Sequence, residues 1–370
     1  MTAVGQLADE LRRIGRRAGL DGVGICEAGP FAEARVAIDD RLQSGASAGM
    51  QFTFRQPHKS TDPRTAVPDA RAVFVGARSY LLEEPARDWE GPAARIARYA
   101  WIEHYRPLRE ALGEVAARLK EAGYRARVLA DDNALVDRAA AVRAGIGWYG
   151  KNANVLIPGH GSWFVLGAVV TDAPIAPMRA VQAVADGCGT CRRCLGDCPT
   201  GALTAPGHLD GRRCLAWLLQ AKGPFPPQFR EALGDRLYGC DECQERCPEN
   251  RRVMRAGAAR PAPAGTRSAL PVLDVLEADD EDLTAMVGRW YIPGRDLDYV
   301  RRNALVVLGN IGEGDDPQAA AALARYLAHP NPLLRAHAVW AADRLGRTDL
   351  LAAVNDDDPM VAEELARLGR

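Results

Sequence analysis

The chain of 370 residues reads as an α/β layer, a compact cysteine-rich segment and an α-helical repeat, in that order. Three observations carry this. Short β-branched runs alternate with amphipathic helical stretches over residues 1–180. Eight of the nine cysteines fall between Cys188 and Cys247. The C-terminal stretch repeats itself: YVRRNALVVLGNIG from Tyr299 returns as LLRAHAVWAADRLG from Leu333. Composition is that of a globular protein, 47% hydrophobic and 26% charged, with a formal net charge of −1. That balance gives no general pull towards polyanions, so nucleic acid would have to meet a local basic patch. No apolar run approaches the ~20 residues needed to span a bilayer. The N-terminal MTAVGQLADELRRIGRRAG reads as a charged amphipathic helix, not an export signal.

In the first part, Leu7, Leu11, Ile14 and Ala18 form one helical stripe, with Arg12, Arg13, Arg16 and Arg17 as its solvated face. Gly22 to Ala28 is a short buried strand in which Cys26 serves as a small core residue. A helix follows from about Phe31 to Gln43, then a loop and a strand from Ala72 to Ala77. A long helix from Pro107 turns Leu108, Leu112, Val115 and Leu119 inward. Arg125 to Ala130 is a strand with Asp131 at its end. Asp132 or Asn133 is placed to cap the following helix, ALVDRAAAVRAG. Gly145, Gly147 and Gly150 punctuate IGWYGKN, and a last strand runs from Ser162 to Thr171.

The cysteines carry the clearest chemistry. Cys188, Cys191, Cys194 and Cys198 are spaced C-x2-C-x2-C-x3-C and followed by Pro199. This is the bacterial-ferredoxin run, in which the fourth cysteine ligates the other cluster. Cys240, Cys243 and Cys247, followed by Pro248, form its mirror. By that logic Cys188, Cys191, Cys194 and Cys247 hold one 4Fe-4S cluster, and Cys198, Cys214, Cys240 and Cys243 hold the second. Zinc and disulfides are the alternatives. Paired C-x2-C knuckles also hold structural zinc, whereas disulfides need an oxidising compartment. Four consecutive domains follow: 1–180 as the α/β domain, 181–255 as a ferredoxin-type domain, 256–296 as linker and connecting helices, and 297–370 as the repeat. The linker begins in RRVMRAGAARPAPAGTRSALP, rich in Arg, Pro, Ala and Gly. The repeat period near 34, with Asp/Pro turns and an echo from Met360, reads as a short HEAT-type solenoid. Such an element binds something extended or serves as a packing buttress.

Taken together, DDNALVDRAAAVRAGIGWYGKN, GSWFVLGAVVTDAPI, CGTCRRCLGDCPTGAL and CDECQERCPEN, followed by the repeat, resemble the epoxyqueuosine reductase family over essentially the whole chain. The resemblance implies a nitroreductase-like cobalamin-binding domain, a ferredoxin-like two-cluster domain packed on it and a HEAT-like tail. It implies reduction of epoxyqueuosine to queuosine at the wobble position of tRNA, the last step of queuosine biosynthesis. Cobalamin rests on the resemblance alone. On the same ground Asp131, seven residues before Arg138, matches the family's proton donor, and Tyr105 lies in the substrate's neighbourhood. Asp131, Val136, Arg138, Gly150, Lys151, Asn152, Ala153, Ile157 and Phe164 fall where the family contacts the cofactor. The chain has no D-x-H-x-x-G motif, which fits base-off cobalamin without a protein lower ligand. The implied partners are a tRNA anticodon stem-loop and an unidentified low-potential electron donor. The implied setting is a cytoplasmic monomer without a membrane.

The chemistry fits such cofactors. Turning an epoxide into an alkene takes two electrons and two protons and releases water. Side chains cannot deliver electrons, whereas a positioned acid with a raised pKa can protonate the opening oxygen. The loop Gly147 to Asn152 lets backbone amides approach the cofactor, with Lys151 as a candidate charge partner. Arg246, Arg251, Arg252, Arg255 and Arg260, together with Arg289, Arg295, Arg301 and Arg302, are candidate phosphate contacts. One departure stands out: the family has an aspartate, a tyrosine and a histidine near the substrate, and this chain reads His104, Tyr105 and Arg106. Two alternatives follow, the same machinery turned to another substrate or an electron carrier without catalysis.

Overall fold

The computed structural model describes residues 3–87, 89–177 and 182–369. Its chain segments gather into two units. The first comprises Met1–Glu83, Ile102–Arg212 and Glu242–Pro261; the second comprises Glu84–Trp101, Arg213–Asp241 and Ala262–Arg370. Cys214 and Cys240 therefore belong to the second unit and the other cysteines to the first. The sequence-derived boundary between 180 and 181 lies outside the described residues.

In the first unit, four strands form one sheet in the order Gly22–Glu27, Ala72–Ser79, Phe164–Thr171, Ala126–Ala130, with every neighbour antiparallel. The period of two along a strand divides its residues between two faces. Val73, Val75 and Ala77 join Leu129, Val170 and the alanines of the helix Asp137–Arg143 in one core. Phe74 points the other way, towards the helix Ala3–Arg17, where a Cβ on Gly15 would meet its ring at 3.0 Å. The helix Tyr105–Glu121 covers that second face, with Leu108, Leu112, Val115 and Leu119 fully buried as the spacing predicts. Gly76 and Gly167 stand opposite each other in the ladder. A Cβ would lie 3.1 Å from Leu112 at Gly76 and 2.8 Å from it at Gly167, so two glycines clear the seat of one leucine. In the N-terminal helix the buried line is Ala8, Leu11 and Gly15, with Leu7, Ile14 and Ala18 only partly covered.

The expected cap at Asp132 or Asn133 is corrected. The helix begins at Asp137, with Val136 in the cap position and no side-chain cap bond. Asp131 takes a left-handed φ of 54° at the strand end. Asp132 then closes a local turn, its Oδ1 accepting from Ala134 N–H at 2.8 Å. The long helix is capped instead by Glu103, whose Oε1 accepts from the amides of Tyr105 (2.7 Å) and Arg106 (3.1 Å).

The second unit has a three-stranded sheet with Ala93–Ile96 in the middle, parallel to Arg236–Tyr238 and antiparallel to Ala269–Pro271. The stretch read as linker thus contributes a strand, followed by helices Val272–Glu277 and Asp280–Val287. Helices Asp298–Ile311, Pro317–Leu327, Pro332–Arg344, Thr348–Leu351 and Pro359–Arg367 complete the unit. Asp316, Asn331 and Asp358 each precede a proline and cap a helix through the side chain, so the expected Asp/Pro turns are helix starts.

Two charged side chains lie in the interior of this unit. Arg230 and Glu364 form a buried bidentate pair at 2.6 and 3.0 Å. Arg302 is fully buried and donates to the carbonyls of Leu218, Leu219, Ala221 and Gly223 and to Asn303 Oδ1. Burial lowers its pKa to about 10. Arg302 is a fastener of backbone, and its assignment as a phosphate contact is withdrawn. Among the described residues, no helix is long and apolar enough to cross a membrane.

Candidate cluster and cofactor site

The short helices Arg193–Gly196 and Glu242–Glu245 set the cysteines of the first unit. Cys188, Cys191, Cys194 and Cys247 line one partly open cavity of about 430 Å³, together with Lys151, Asn152, Leu156, Gly187, Pro248 and Glu249. These four are the set assigned from the spacing to one cluster. Burial and the neighbouring sulfurs of Cys188, Cys247 and Cys191 push the Cys194 thiol up to about 11. A cationic cluster core reverses that preference by binding the thiolates. Among the described residues, no three Cys, His, Asp or Glu side chains converge tightly enough for a single metal ion. Four thiols on one cavity match the ligand number of a cubane and of a structural zinc alike. Cys198 is half-buried, which raises its pKa, but amides of Thr200 and Ala202 outweigh this and hold it below the usual thiol value. The Ala202 N–H lies 3.2 Å from its sulfur.

The glycine loop forms one wall of the cavity. Trp148 pairs with Leu156 and Tyr149 with Val155, closing a tight hairpin. At Gly150 a Cβ would fall 2.1 Å from Leu156, and Ala153 adopts φ 62°. Lys151, read from sequence as a cofactor partner, turns to the first cysteine block. Its Nζ donates to the carbonyls of Gly189 and Cys191, the latter at 3.0 Å. Asn152 is buried and donates to the Cys243 carbonyl at 3.2 Å. Arg138 donates to the Ala153 carbonyl at 3.1 Å, tying the helix Asp137–Arg143 to this loop. Val136, Ile157 and Phe164 pack on the core beside it.

An acidic corner lies at the same, N-terminal end of that helix. The Asp131 side chain is about half exposed (51%) and 3.9 Å from Arg109 Nη2. Burial raises its pKa above the ordinary carboxyl value, Arg109 opposes this, and Glu103 and Asp132 add to it. Arg109 also lies 5.6 Å from the Tyr105 ring centre. Burial, reinforced by Asp131 and Asp137, pushes the Tyr105 hydroxyl well above its usual range. Asp137 was not legible as a site residue: in sequence it is an ordinary first-turn acid. Its Oδ1 is buried without a hydrogen-bond partner, and burial together with Asp131 holds its pKa well above normal. His104 is buried with its ring 5.7 Å from Tyr80, whereas Arg106 is exposed beside Glu110 at 4.0 Å.

A second group missed by sequence reasoning is a buried polar network. Gln244 Nε2 donates to the Tyr80 hydroxyl (2.9 Å) and to both oxygens of Ser162 (3.0 and 3.1 Å). Asn250 Nδ2 donates to Ser162 Oγ and to the Gln244 carbonyl, both at 2.9 Å. The GSWF and CDECQERCPEN stretches are thus two halves of one lock. The signal was there in amide residues among the cysteines, but nothing in the sequence names their partners.

Of the candidate phosphate contacts in the first unit, Arg246 pairs with Glu242 (3.4 Å), Arg252 with Glu249, and Arg260 with Asp21 (2.6 Å). Arg251 and Arg255, on the helix Pro248–Arg255, have no ion-pair partner among the described residues. In the second unit Arg289 donates to the carbonyls of Ala100 and Trp101, Arg295 to Gly288, and Arg301 pairs with Asp280 (2.7 Å) and Asp298 (3.3 Å).

Comparison with known proteins agrees with this geometry. Residues 187–250 match the family model described as a 4Fe-4S double cluster binding domain, which decides between clusters, zinc and disulfides. The chain is 31% identical to an epoxyqueuosine reductase of Bacillus cereus over 92% of its own length and 90% of the relative's. It is 32% identical to the Bacillus subtilis enzyme of the same name, over 98% and 91%. A crystal structure of an epoxyqueuosine reductase with an epoxyqueuosine-modified tRNA-Tyr stem loop superposes with a TM-score of 0.85 at 27% identity, covering 98% of this chain and 97% of that one. A structure from Streptococcus thermophilus gives 0.86 at 27% identity, with 96% of each chain covered. The cysteine cavity, the loop that walls it and the full-length likeness converge: the chain belongs to the epoxyqueuosine reductase family.

Proposed function

We propose that this oxidoreductase reduces epoxyqueuosine to queuosine in the anticodon loop of tRNA. The observation that carries the reading is one continuous linkage. The cavity ringed by Cys188, Cys191, Cys194 and Cys247 is walled by the Lys151–Asn152 loop, and that loop is bonded through Arg138 to the helix that follows Asp131. The thiol set fits iron-sulfur clusters in number and arrangement. For cobalamin, whose rim is rich in amides, the fit is Trp148 Nε1 and Asp137 Oδ1, buried and without a hydrogen-bond partner among the described residues, and a loop whose glycines admit close backbone approach. When bound, cobalamin and the two clusters supply the two electrons the reaction consumes.

The side chains handle the protons. The epoxide takes up two electrons and two protons and leaves as an alkene and water. Asp131, with its raised pKa, holds a proton for the opening oxygen. Tyr105 stays protonated beside it and orients the substrate by hydrogen bonding. Arg138 fixes the loop that seats the cofactor, with Val136, Gly150, Asn152, Ala153, Ile157 and Phe164 shaping its surroundings. The departure at His104 does not weigh for another substrate, since its ring packs against Tyr80. Arg251 and Arg255 meet phosphates of the stem-loop.

The remaining reading is architectural. Residues 1–180, 181–255, 256–296 and 297–370 act as cofactor domain, cluster domain, connector and HEAT-like repeat. The paired helices behind Asp316, Asn331 and Asp358 support the last assignment. The chain works as a monomer in the cytoplasm, where tRNA is met, fed by a low-potential donor. Liquid chromatography of tRNA nucleosides after incubation with the reconstituted protein and reductant tests the whole. Queuosine should replace epoxyqueuosine; persistence of epoxyqueuosine while the cofactors cycle would overturn the reading.

A further inference from the structure

Two adjacent residues of one loop grip a cysteine loop from each cluster set. The Lys151 ammonium donates to the carbonyls of Gly189 and Cys191, on the loop carrying Cys188, Cys191 and Cys194. Asn152 donates to the carbonyl of Cys243, which belongs to the other set. Lys151 also lines the cavity that the first four thiols ring. Glu249, the carboxylate on that cavity, is taken up by Arg252, and Lys151 has no ion-pair partner among the described residues. The loop is held from behind as well. The Lys151 carbonyl accepts from Gly207 N–H at 3.0 Å, and the Ala153 carbonyl from Arg138 at 3.1 Å.

We infer that Lys151 sets the reduction potential of the cluster bound by Cys188, Cys191, Cys194 and Cys247, while Asn152 fixes the spacing of the second cysteine loop from the first. The inference rests on the cluster assignment within the proposed function. Reduction adds one electron to a centre already anionic through its four thiolates, and no bond is made or broken. A cation held at the edge of that centre stabilises the reduced form more than the oxidised one, so the electron is accepted at a less negative potential. A lysine tied to two carbonyls cannot swing away as a free surface lysine would. Its charge therefore acts at a fixed place, and the two carbonyl dipoles do not cancel it.

The test needs neither tRNA nor cobalamin. The full chain is reconstituted anaerobically with iron and sulfide, then titrated with dithionite and mediators while electron paramagnetic resonance follows each cluster. Lys151→Gln keeps a hydrogen-bond donor without the charge; Lys151→Arg keeps the charge. One cluster's midpoint should move to a more negative potential in Lys151→Gln and stay near the parent's in Lys151→Arg, with the other cluster's midpoint unmoved. Asn152→Ala should alter the magnetic splitting between the two reduced clusters. An unmoved midpoint in Lys151→Gln, or equal shifts in Gln and Arg variants, overturns the role of Lys151. An unaltered splitting overturns that of Asn152. If Lys151→Gln fails to load its cluster, Lys151→Arg decides: loading at the parent's potential supports the inference, and failure in both variants sinks it. Iron and sulfide content of the parent is measured first. Absent clusters sink the functional reading itself, whereas present clusters with an unmoved potential sink only the lysine.

Discussion

Ser162 and Asn250 hold each other through two bonds: the Ser162 N–H donates to Asn250 Oδ1 at 2.7 Å, and Asn250 Nδ2 donates to Ser162 Oγ at 2.9 Å. Both side chains are buried, so neither bond is replaced by water when one partner is removed. Asn250→Ala should therefore cost roughly 1–3 kcal/mol, the price of stranding buried donors and acceptors. Thermal unfolding of the loaded protein checks this, together with faster bleaching of the clusters in air, because Cys247 opens the helix that carries Asn250.

Asp131→Asn should bind iron, sulfide and cobalamin as the parent does, yet lose turnover by about 10²–10⁴-fold, the usual worth of a positioned acid. Single-turnover nucleoside analysis against absorbance spectra of the bound cofactors separates chemistry from binding. Unchanged turnover would remove Asp131 from its role.

Asp137 offers a pH signature. Burial raises its folded-state pKa above the unfolded value, so its protonated form stabilises the fold fully below the ordinary carboxyl range. That contribution is lost as pH rises through the folded-state pKa. Asp137→Asn mimics the protonated acid. It should melt higher than the parent at neutral pH, with the gap closing towards pH ~4. A gap that widens on acidification would contradict the assigned burial.

Two sets of arginines should behave oppositely. Arg251→Ala with Arg255→Ala should weaken binding of the stem-loop and flatten its salt dependence by roughly one phosphate contact per arginine, leaving stability nearly unchanged. Arg302→Ala should lower stability by roughly 3 kcal/mol or more, since several buried carbonyls lose their donor together. Fluorescence anisotropy at several salt concentrations and thermal melts distinguish the two.

Gly167→Ala should destabilise the first unit by roughly 1–3 kcal/mol through overpacking against Leu112. Leu112→Ala in the same background should recover part of that loss, a coupling that melts of the single and double variants measure.

Much of this was legible because periodicity and spacing are local signals. Leu108, Leu112, Val115 and Leu119 announce a buried face within one helix, and C-x2-C-x2-C-x3-C announces a cluster loop within one turn of chain. What stayed hidden depends on partners distant in sequence. Nothing in RRNALVVLGN shows that Arg302 will be swallowed by carbonyls of residues 218–223. Nothing in GKNAN shows that Lys151 will face the cysteine block. Asp131 was singled out only through the resemblance, whereas Asp137 was masked by its unremarkable place at a helix start. The misplaced cap at Asp132 has a plainer cause: a strand that ends in a left-handed residue needs a longer turn before a helix can begin.

The interleaving of the two units bears on how the chain is made. Ala93–Ile96, the middle strand of its sheet, leaves the ribosome long before Arg236–Tyr238 and Ala269–Pro271, and Arg230 waits for Glu364, 134 residues later. The first unit likewise cannot close until Glu242–Pro261 has been synthesised. The first unit, with all eight clustered cysteines already made, can therefore close while Ala262–Arg370 of the second is still being translated. A nascent chain stalled midway would expose unpaired strand edges and bare thiols to whatever chaperones and iron-delivery systems the cell provides.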